Sequence, residues 1–232
     1  MAVRPKRDGP PLPQGDKTVR PKAAASLILI RRDADSLRVL MGRRHSGHAF
    51  MPDRWVFPGG RMDRGDHRAP AATELAPDVV ALFERNGQSA RARGLALAAI
   101  RETFEEAGLL IATPAPTRPG AGAWRPFLAQ GALPDLSALE VLARAITPPD
   151  IARRYDTWFF MAEATRLLSQ DRQPDCGELD EIAWITPPEA DALPLPGITR
   201  LILAEAIARL DDSSRPRPSF RFVGARRMIS AL

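Results

Sequence analysis

Glu102, Glu105 and Glu106 stand at i, i+3 and i+4 in the run Arg101-Glu102-Thr103-Phe104-Glu105-Glu106-Ala107-Gly108-Leu109. At 3.6 residues per turn the three carboxylates leave one side of a helix, while Leu97, Ile100 and Phe104 point toward a core. Arg101 with Glu105 alone would read as an ordinary solvated ion pair on a helix face. Three clustered carboxylates with no interspersed Lys repel one another, however, and the repulsion wants a cation. Hard divalent ions such as Mg²⁺ take oxygen ligands, usually a few carboxylates completed by water and substrate phosphate. The chemistry open to this turn is therefore metal-assisted work on a phosphate. Gly108 supplies a C-cap, because glycine accepts the left-handed conformation that ends a helix, and Leu109-Leu110-Ile111 reads as a buried run beyond it.

Upstream, Trp55-Val56-Phe57-Pro58-Gly59-Gly60-Arg61-Met62-Asp63-Arg64-Gly65-Asp66 joins a short apolar strand to a Gly-Gly turn. Taken in order, the two segments resemble the halves of the Nudix box, the signature of the Nudix hydrolase family. Gly60 leads by five residues to Asp66, and Arg101-Glu102 through Leu109 complete the second half. Two departures stand out. Asp66 occupies the place of the family's Glu, and the 34 residues from 67 to 100 replace the usual seven, so the box is split by an insertion. A third stretch, Ile146-Thr147-Pro148-Pro149 through Arg153-Arg154-Tyr155-Asp156-Thr157-Trp158-Phe159-Phe160, is similar to segments of one Nudix branch that also carries an insertion inside the box. That branch includes the peroxisomal-type coenzyme A and acyl-CoA diphosphatases and bacterial relatives. The likeness spans about residues 23 to 210 and is densest at 40 to 66, 95 to 110 and 146 to 162.

The resemblance implies an α/β fold, the Nudix α/β/α sandwich with a mixed β-sheet, and metal-dependent hydrolysis of a diphosphate linkage in a nucleoside diphosphate derivative. Coenzyme A or acyl-CoA, split to 3′,5′-ADP and (acyl-)phosphopantetheine, is the leading substrate. ADP-ribose, NADH or a nucleoside triphosphate are the alternatives among enzymes. A catalytically weak nucleotide-binding regulator, motivated by Asp66 and the insertion, is the alternative outside them. Carried onto this chain, the ligands of Mg²⁺ or Mn²⁺ are Glu102, Glu105 and Glu106, with the Gly59 carbonyl as an additional one. Arg101 orients a glutamate, and Gly60 and Asp66 support the loop. The general base stays open between Glu105, Glu106 and an acid outside the box, for which Glu178, Asp180 and Glu181 are candidates. Arg43, Arg44 and Arg54 precede the Gly-Gly turn, where they could meet a substrate phosphate, and Phe50 could stack on adenine. Trp158 reads as a core aromatic. His45, His48 and His67 lack zinc-ligand spacing and read as loop residues. Many family members dimerise, so a homodimer is the assembly the resemblance suggests.

Composition agrees with a soluble enzyme. A chain of 232 residues suffices for one domain with attachments. No apolar run is long enough to cross a bilayer, and the start lacks the apolar core of a secretory signal, so a cytoplasmic location without membrane association is expected. The single Cys176 makes no internal disulfide. The net charge of +5 gathers at the ends, with Arg4, Lys6, Arg7, Lys17, Arg20 and Lys22 at one and Arg215, Arg217, Arg221, Arg226 and Arg227 at the other. No nucleic-acid-binding motif accompanies that charge, and no specific nucleic-acid partner is expected. The expected organisation is a flexible basic Pro/Gly-rich arm at 1–22, a Nudix domain at 23–212 with its insertion at about 67–93, and a basic C-terminal segment at 213–232.

These site residues need elements to carry them. Ala23 to Ile30 and Leu37 to Arg43 read as a hairpin, and Trp55 to Phe57 as a short strand feeding the Gly-Gly turn. A helix over Asp78 to Glu84 and a turn at Asn86-Gly87 fall in the insertion, and the box helix runs from Arg91 or Leu95 to Ala107. Residues 112 to 134, rich in Pro and Gly, read as an irregular excursion, followed by a helix over Leu136 to Ala145. Tyr155 to Ala162 reads as a strand with aromatics on both faces, Glu181 to Thr186 as another, Pro187 as the start of a short helix, and Ile198 to Leu210 as an amphipathic helix.

Overall fold

The computed structural model describes residues 19–34, 36–47, 51–149, 151, 153–170, 179–223 and 226–232. In chain order the strands are β1 (Lys22–Arg32), β2 (Leu37–Arg44), β3 (Trp55–Val56), β4 (Gly59–Arg61), β5 (Ala112–Pro114), β6 (Ala132–Pro134), β7 (Glu140–Ile146), β8 (Tyr155–Glu163), β9 (Leu179–Ile185), β10 (Pro218–Val223) and β11 (Arg226–Ala231). The helices are α1 (Pro77–Arg85), α2 (Ser89–Ala107), α3 (Trp124–Leu128), α4 (Pro187–Ala192) and α5 (Gly197–Asp211).

β1 organises the rest because Ala24 to Ile30 is buried without a break, the signature of a strand covered on both faces. It pairs in parallel with β8 and antiparallel with β2 and β4. The large sheet has nine strands in the order β11-β10-β7-β8-β1-β2-β3, with β4 also on β1 and β9 also on β2. Parallel and antiparallel pairs coexist, as expected for the mixed sheet of an α/β fold. Side-chain alternation then divides the core. Ala25, Leu27, Leu29, Trp158 and Phe160 pack with α1 and α2 on one face, while Ile28, Ile30, Phe159 and Met161 pack with α4 and α5 on the other. Among the described residues no helix is long and apolar enough to cross a membrane.

The insertion is built into the first of these layers. α1 starts with Pro at its first position and buries Val79, Leu82 and Phe83. Phe83 stacks on Trp158 at 4.1 Å between ring centroids, which fixes Trp158 as a core aromatic. The Asn86-Gly87 turn that follows has positive φ (64°) at Gly87, and a Cβ there would meet nothing within 4 Å. Before α1, Thr73 donates to Asp135 at 2.6 Å, and Ser137 (2.7 Å) and Arg166 (2.6 Å) donate to the same carboxylate.

Three expectations need correction. Leu136 to Ala145 is not a helix: a single 3₁₀ turn at Leu136–Ala138 leads into β7. A short apolar run does not distinguish helix from buried strand, and here tertiary pairing decides. β7 lies between β8 and β10, and Arg144 reaches diagonally to Asp156 through two 2.7 Å bonds. The excursion at 112–134 is not irregular throughout. It holds the β5-β6 ribbon and α3, whose Trp124, Phe127 and Leu128 are buried. The segment 213–232, expected as a basic C-terminal segment following the domain at 23–212, supplies β10 and β11, with β10 parallel to β7. Its Arg residues conceal the alternation of Phe220 and Phe222 that marks a strand. Residues 1–18 of the basic arm, together with Cys176 and His48, lie outside the described residues.

Two outcomes follow from this packing. Phe83→Ala should destabilise the fold by about 3–5 kcal/mol, measured by urea unfolding, because it removes the aromatic that seats the insertion. Burial alone would raise the Asp135 carboxyl, but hydrogen bonds from Ser137, Thr73 and Arg166 and the Arg166 charge hold it below the ordinary Asp value. A depressed folded-state pKa contributes stability that is present above the unfolded value and lost as pH falls through the folded one. Unfolding free energies taken from pH 6 down to pH 3 should therefore decline less steeply in Asp135→Asn than in the unaltered chain.

Candidate active site

The site begins with how closely two backbones approach. Pro58 offers its carbonyl to Leu27 N–H (2.9 Å) and to the Ser26 hydroxyl (2.8 Å), and this brings Gly59 and Gly60 into register with Ser26 and Ala25. A Cβ at Gly59 would lie 2.6 Å from the Ala25 carbonyl oxygen and the Ser26 Cα. A Cβ at Gly60 would lie 2.5 Å from the carboxyl carbon of Glu102. Glycine is needed at the first position for strand packing and at the second to admit a carboxylate.

α2 delivers that carboxylate. It ends at Gly108, left-handed at φ 67° and ψ 21°, as the sequence indicates. Its last turn presents Glu102, Glu105 and Glu106 to one cavity of about 860 Å³, also lined by Gly59, Gly60 and Asp63. Glu106 is buried and accepts a hydrogen bond from Gly59 N–H at 2.9 Å. Glu102 and Glu105 each accept from the Nη1 of Arg101 at 2.8 Å.

Arg101 is 3% exposed and commits its guanidinium in every direction. Besides the two glutamates it donates from Nε and Nη2 to Asp66 (2.9 and 3.1 Å) and from Nη2 to the Arg61 carbonyl (3.0 Å). Asp66, fully buried, accepts further bonds from the Trp124 indole (2.9 Å) and from Asp63 N–H (2.7 Å). Asp66 thus forms a two-pronged pair with Arg101 despite lacking one methylene, and the indole of α3 occupies the remaining side of its carboxylate. Desolvation would lower the Arg101 pKa, but the hydrogen bonds to Asp66 and the charges of Glu102, Asp66 and Glu105 outweigh it, and the group is held cationic. For Glu105 the balance falls the other way. Burial raises its pKa more than Arg101 lowers it, and the charges of Asp66 and Asp63 add to the rise.

Among the described residues no three His, Cys, Asp or Glu side chains already converge as a ligand cage. The donor set nonetheless suits a hard cation, being three carboxylates on one cavity wall with room for water and phosphate oxygens. Of the arginines suggested for substrate, Arg44 lines the cavity; Arg43 and Arg54 do not. Arg43 is engaged instead with Asp180 (3.0 Å) and Glu181 (3.4 Å), because β2 and β9 run side by side and place these chains on their exposed edge. That pairing also engages Asp180 and Glu181, the described candidates for a general base outside the box, and neither lines the cavity. Phe50 and Glu178 lie outside the described residues. Sequence reasoning missed Arg61, Arg153 and Arg227 at the cavity, and Trp124 behind it. Arg153 sits in the third quoted stretch and could have been noticed; Trp124 carries no periodic signal in its Pro/Gly-rich surroundings.

No family model matches the chain. A chicken (Gallus gallus) protein named acyl-coenzyme A diphosphatase NUDT19 is 30% identical over 210 residues, which cover 66% of this chain and 54% of that protein. Its human namesake is 26% identical over 212 residues, 68% of this chain and 55% of the relative. The chain therefore spans about half the length of the curated relatives it matches. The crystal structure of a Nudix hydrolase from Alicyclobacillus acidocaldarius is similar with a TM-score of 0.60 and 27% identity, over 82% of this chain and 93% of that one. The chain has the Nudix hydrolase fold and is similar to Nudix hydrolases in sequence. In it the two halves of the Nudix box, separated by the insertion, meet through Asp66 and Arg101.

That junction should be exacting. Asp66→Asn should cost about 3–5 kcal/mol, because it leaves a buried guanidinium without its carboxylate. Trp124→Phe, which removes one donor to a charged acceptor, should cost about 1.5–3 kcal/mol. Guanidinium chloride titrations of the two variants give both values.

Proposed function

We propose that this Nudix chain hydrolyses the diphosphate linkage of a nucleoside diphosphate derivative with Mg²⁺ or Mn²⁺, and that coenzyme A or its acyl thioester is the substrate. The observation that carries the reading is the meeting of Glu102, Glu105 and Glu106 with the Gly59-Gly60 turn in one large cavity. The names of the chicken and human relatives favour acyl-CoA over ADP-ribose, NADH and nucleoside triphosphates.

A diphosphate repels an incoming water because it is polyanionic, and charge builds on the leaving oxygen as the P–O bond breaks. A divalent ion would neutralise substrate charge and lower the pKa of a bound water. Glu102, Glu105 and Glu106 would hold it. Arg101 keeps the first two carboxylates aimed together, and Gly59 N–H fixes the third. Arg44 and Arg61 line the same cavity and supply positive charge for the outer phosphate oxygens. In the overall reaction the water oxygen forms a new P–O bond, the bridging P–O bond breaks with its electron pair left on the departing phosphate oxygen, and the water's two protons pass to the product phosphates or to solvent as 3′,5′-ADP and (acyl-)phosphopantetheine separate.

Purified protein with Mg²⁺ or Mn²⁺ should release 3′,5′-ADP from CoA or acyl-CoA in a product-resolved screen that includes ADP-ribose, NADH and nucleoside triphosphates. Glu105→Gln and Glu106→Gln should each lower kcat by at least about 100-fold, the scale of losing a positioned catalytic group, with circular dichroism unchanged. If CoA and acyl-CoA stay intact while another diphosphate is split, the substrate reading is withdrawn.

A further inference from the structure

Charge is segregated along the cavity. Its lining acids, Asp63, Glu102, Glu105 and Glu106, all come from α2 or the loop after β4. At the other end the walls are Ile146, Phe159, Phe220 and Phe222 from the sheet and Ile198 and Leu201 from α5, with Arg227, the β11 partner of Phe222, at the rim and no lining acid among the described residues. The sheet register sets the separation. Arg61, Ala24, Thr157, Ala145 and Phe220 are successive partners across β4, β1, β8, β7 and β10, and all of them line the cavity. At about 4.8 Å per strand, the four steps place Phe220 about 19 Å from the glycine turn. Phe220 and Phe222, two residues apart on one strand, face the same way, and Ile198 and Leu201, three apart on a helix, do likewise.

A ligand that fills this space carries anionic groups at one end and an uncharged apolar group at the other. The base of a nucleoside triphosphate or of ADP-ribose can stack on an aromatic ring, but its hydrogen-bonding edge gains less from these aliphatic and aromatic walls than an acyl chain, which has no polar groups to satisfy. Resting on the acyl-CoA reading above, we propose that the compartment between β10 and α5 receives the acyl group of the substrate, with the pantetheine arm lying across the sheet row that leads to it. Phe222 and Leu201 are then specificity-determining residues, and the C-terminal strand pair selects acylated over free coenzyme A.

The test compares kcat/KM of the full chain with Mg²⁺ for CoA, acetyl-, hexanoyl- and decanoyl-CoA. The value should climb with chain length, by up to about fourfold per methylene while the group still finds apolar wall. In Phe222→Ser and Leu201→Ser, shown by thermal melts to be folded, the climb should flatten. Cleavage of CoA with no dependence on acyl length, or a climb unaltered in both folded variants, overturns the subsite and leaves the diphosphatase reading standing. Should no CoA species be cleaved, the substrate reading fails, and calorimetry with decanoyl-pantetheine decides the compartment separately. Binding that is weakened at least tenfold by Phe222→Ser upholds it; absence of binding overturns it.

Discussion

The structure depends on one buried ion pair. Arg101 and Asp66 are almost completely removed from water, and such a pair is tolerable only when the donors and acceptors around it are satisfied. Here Arg101 reaches two glutamates, a backbone carbonyl and both oxygens of Asp66, while Asp66 also receives an indole and a backbone N–H. The pair joins α2 to the loop after β4. Glycine, glutamate and cavity therefore take their relative positions from it.

Seen this way, the insertion is inexpensive. Replacing seven residues between the box halves by 34 adds about 1.4 kcal/mol of loop-closure entropy, because that cost grows only with the logarithm of length. Burial of one phenylalanine contributes about 1.5–3 kcal/mol, and Phe83 lies fully buried on Trp158. The added chain became part of the helical layer, and the ion pair closes across it undisturbed.

Much of this was legible in the residues. The carboxylates of α2, the glycine cap, the β1-β2 hairpin and the pairing of the box halves follow from helical periodicity, glycine stereochemistry and order along the chain. What escaped was decided by distant partners. β7 carries a pattern compatible with either helix or strand, and only its place between β8 and β10 settles it. The aromatic alternation of β10 is diluted by arginine. Trp124 matters because it lies beside Asp66, 58 residues away in sequence, and no local pattern encodes that. That Arg43 is engaged away from the cavity was hidden for a similar reason, since its acidic neighbours arrive on β9.

The Asn86-Gly87 corner shows what the split box permits. It lies between α1 and α2, beyond the aromatic anchor and before the helix that carries the three glutamates, and a Cβ on its glycine would meet nothing within 4 Å. A fluorophore-bearing loop or a small reporter module grafted at that corner would project outward, leaving both halves of the box free to close upon each other. The interval between the two halves of the box is thereby the natural attachment point for engineering this protein.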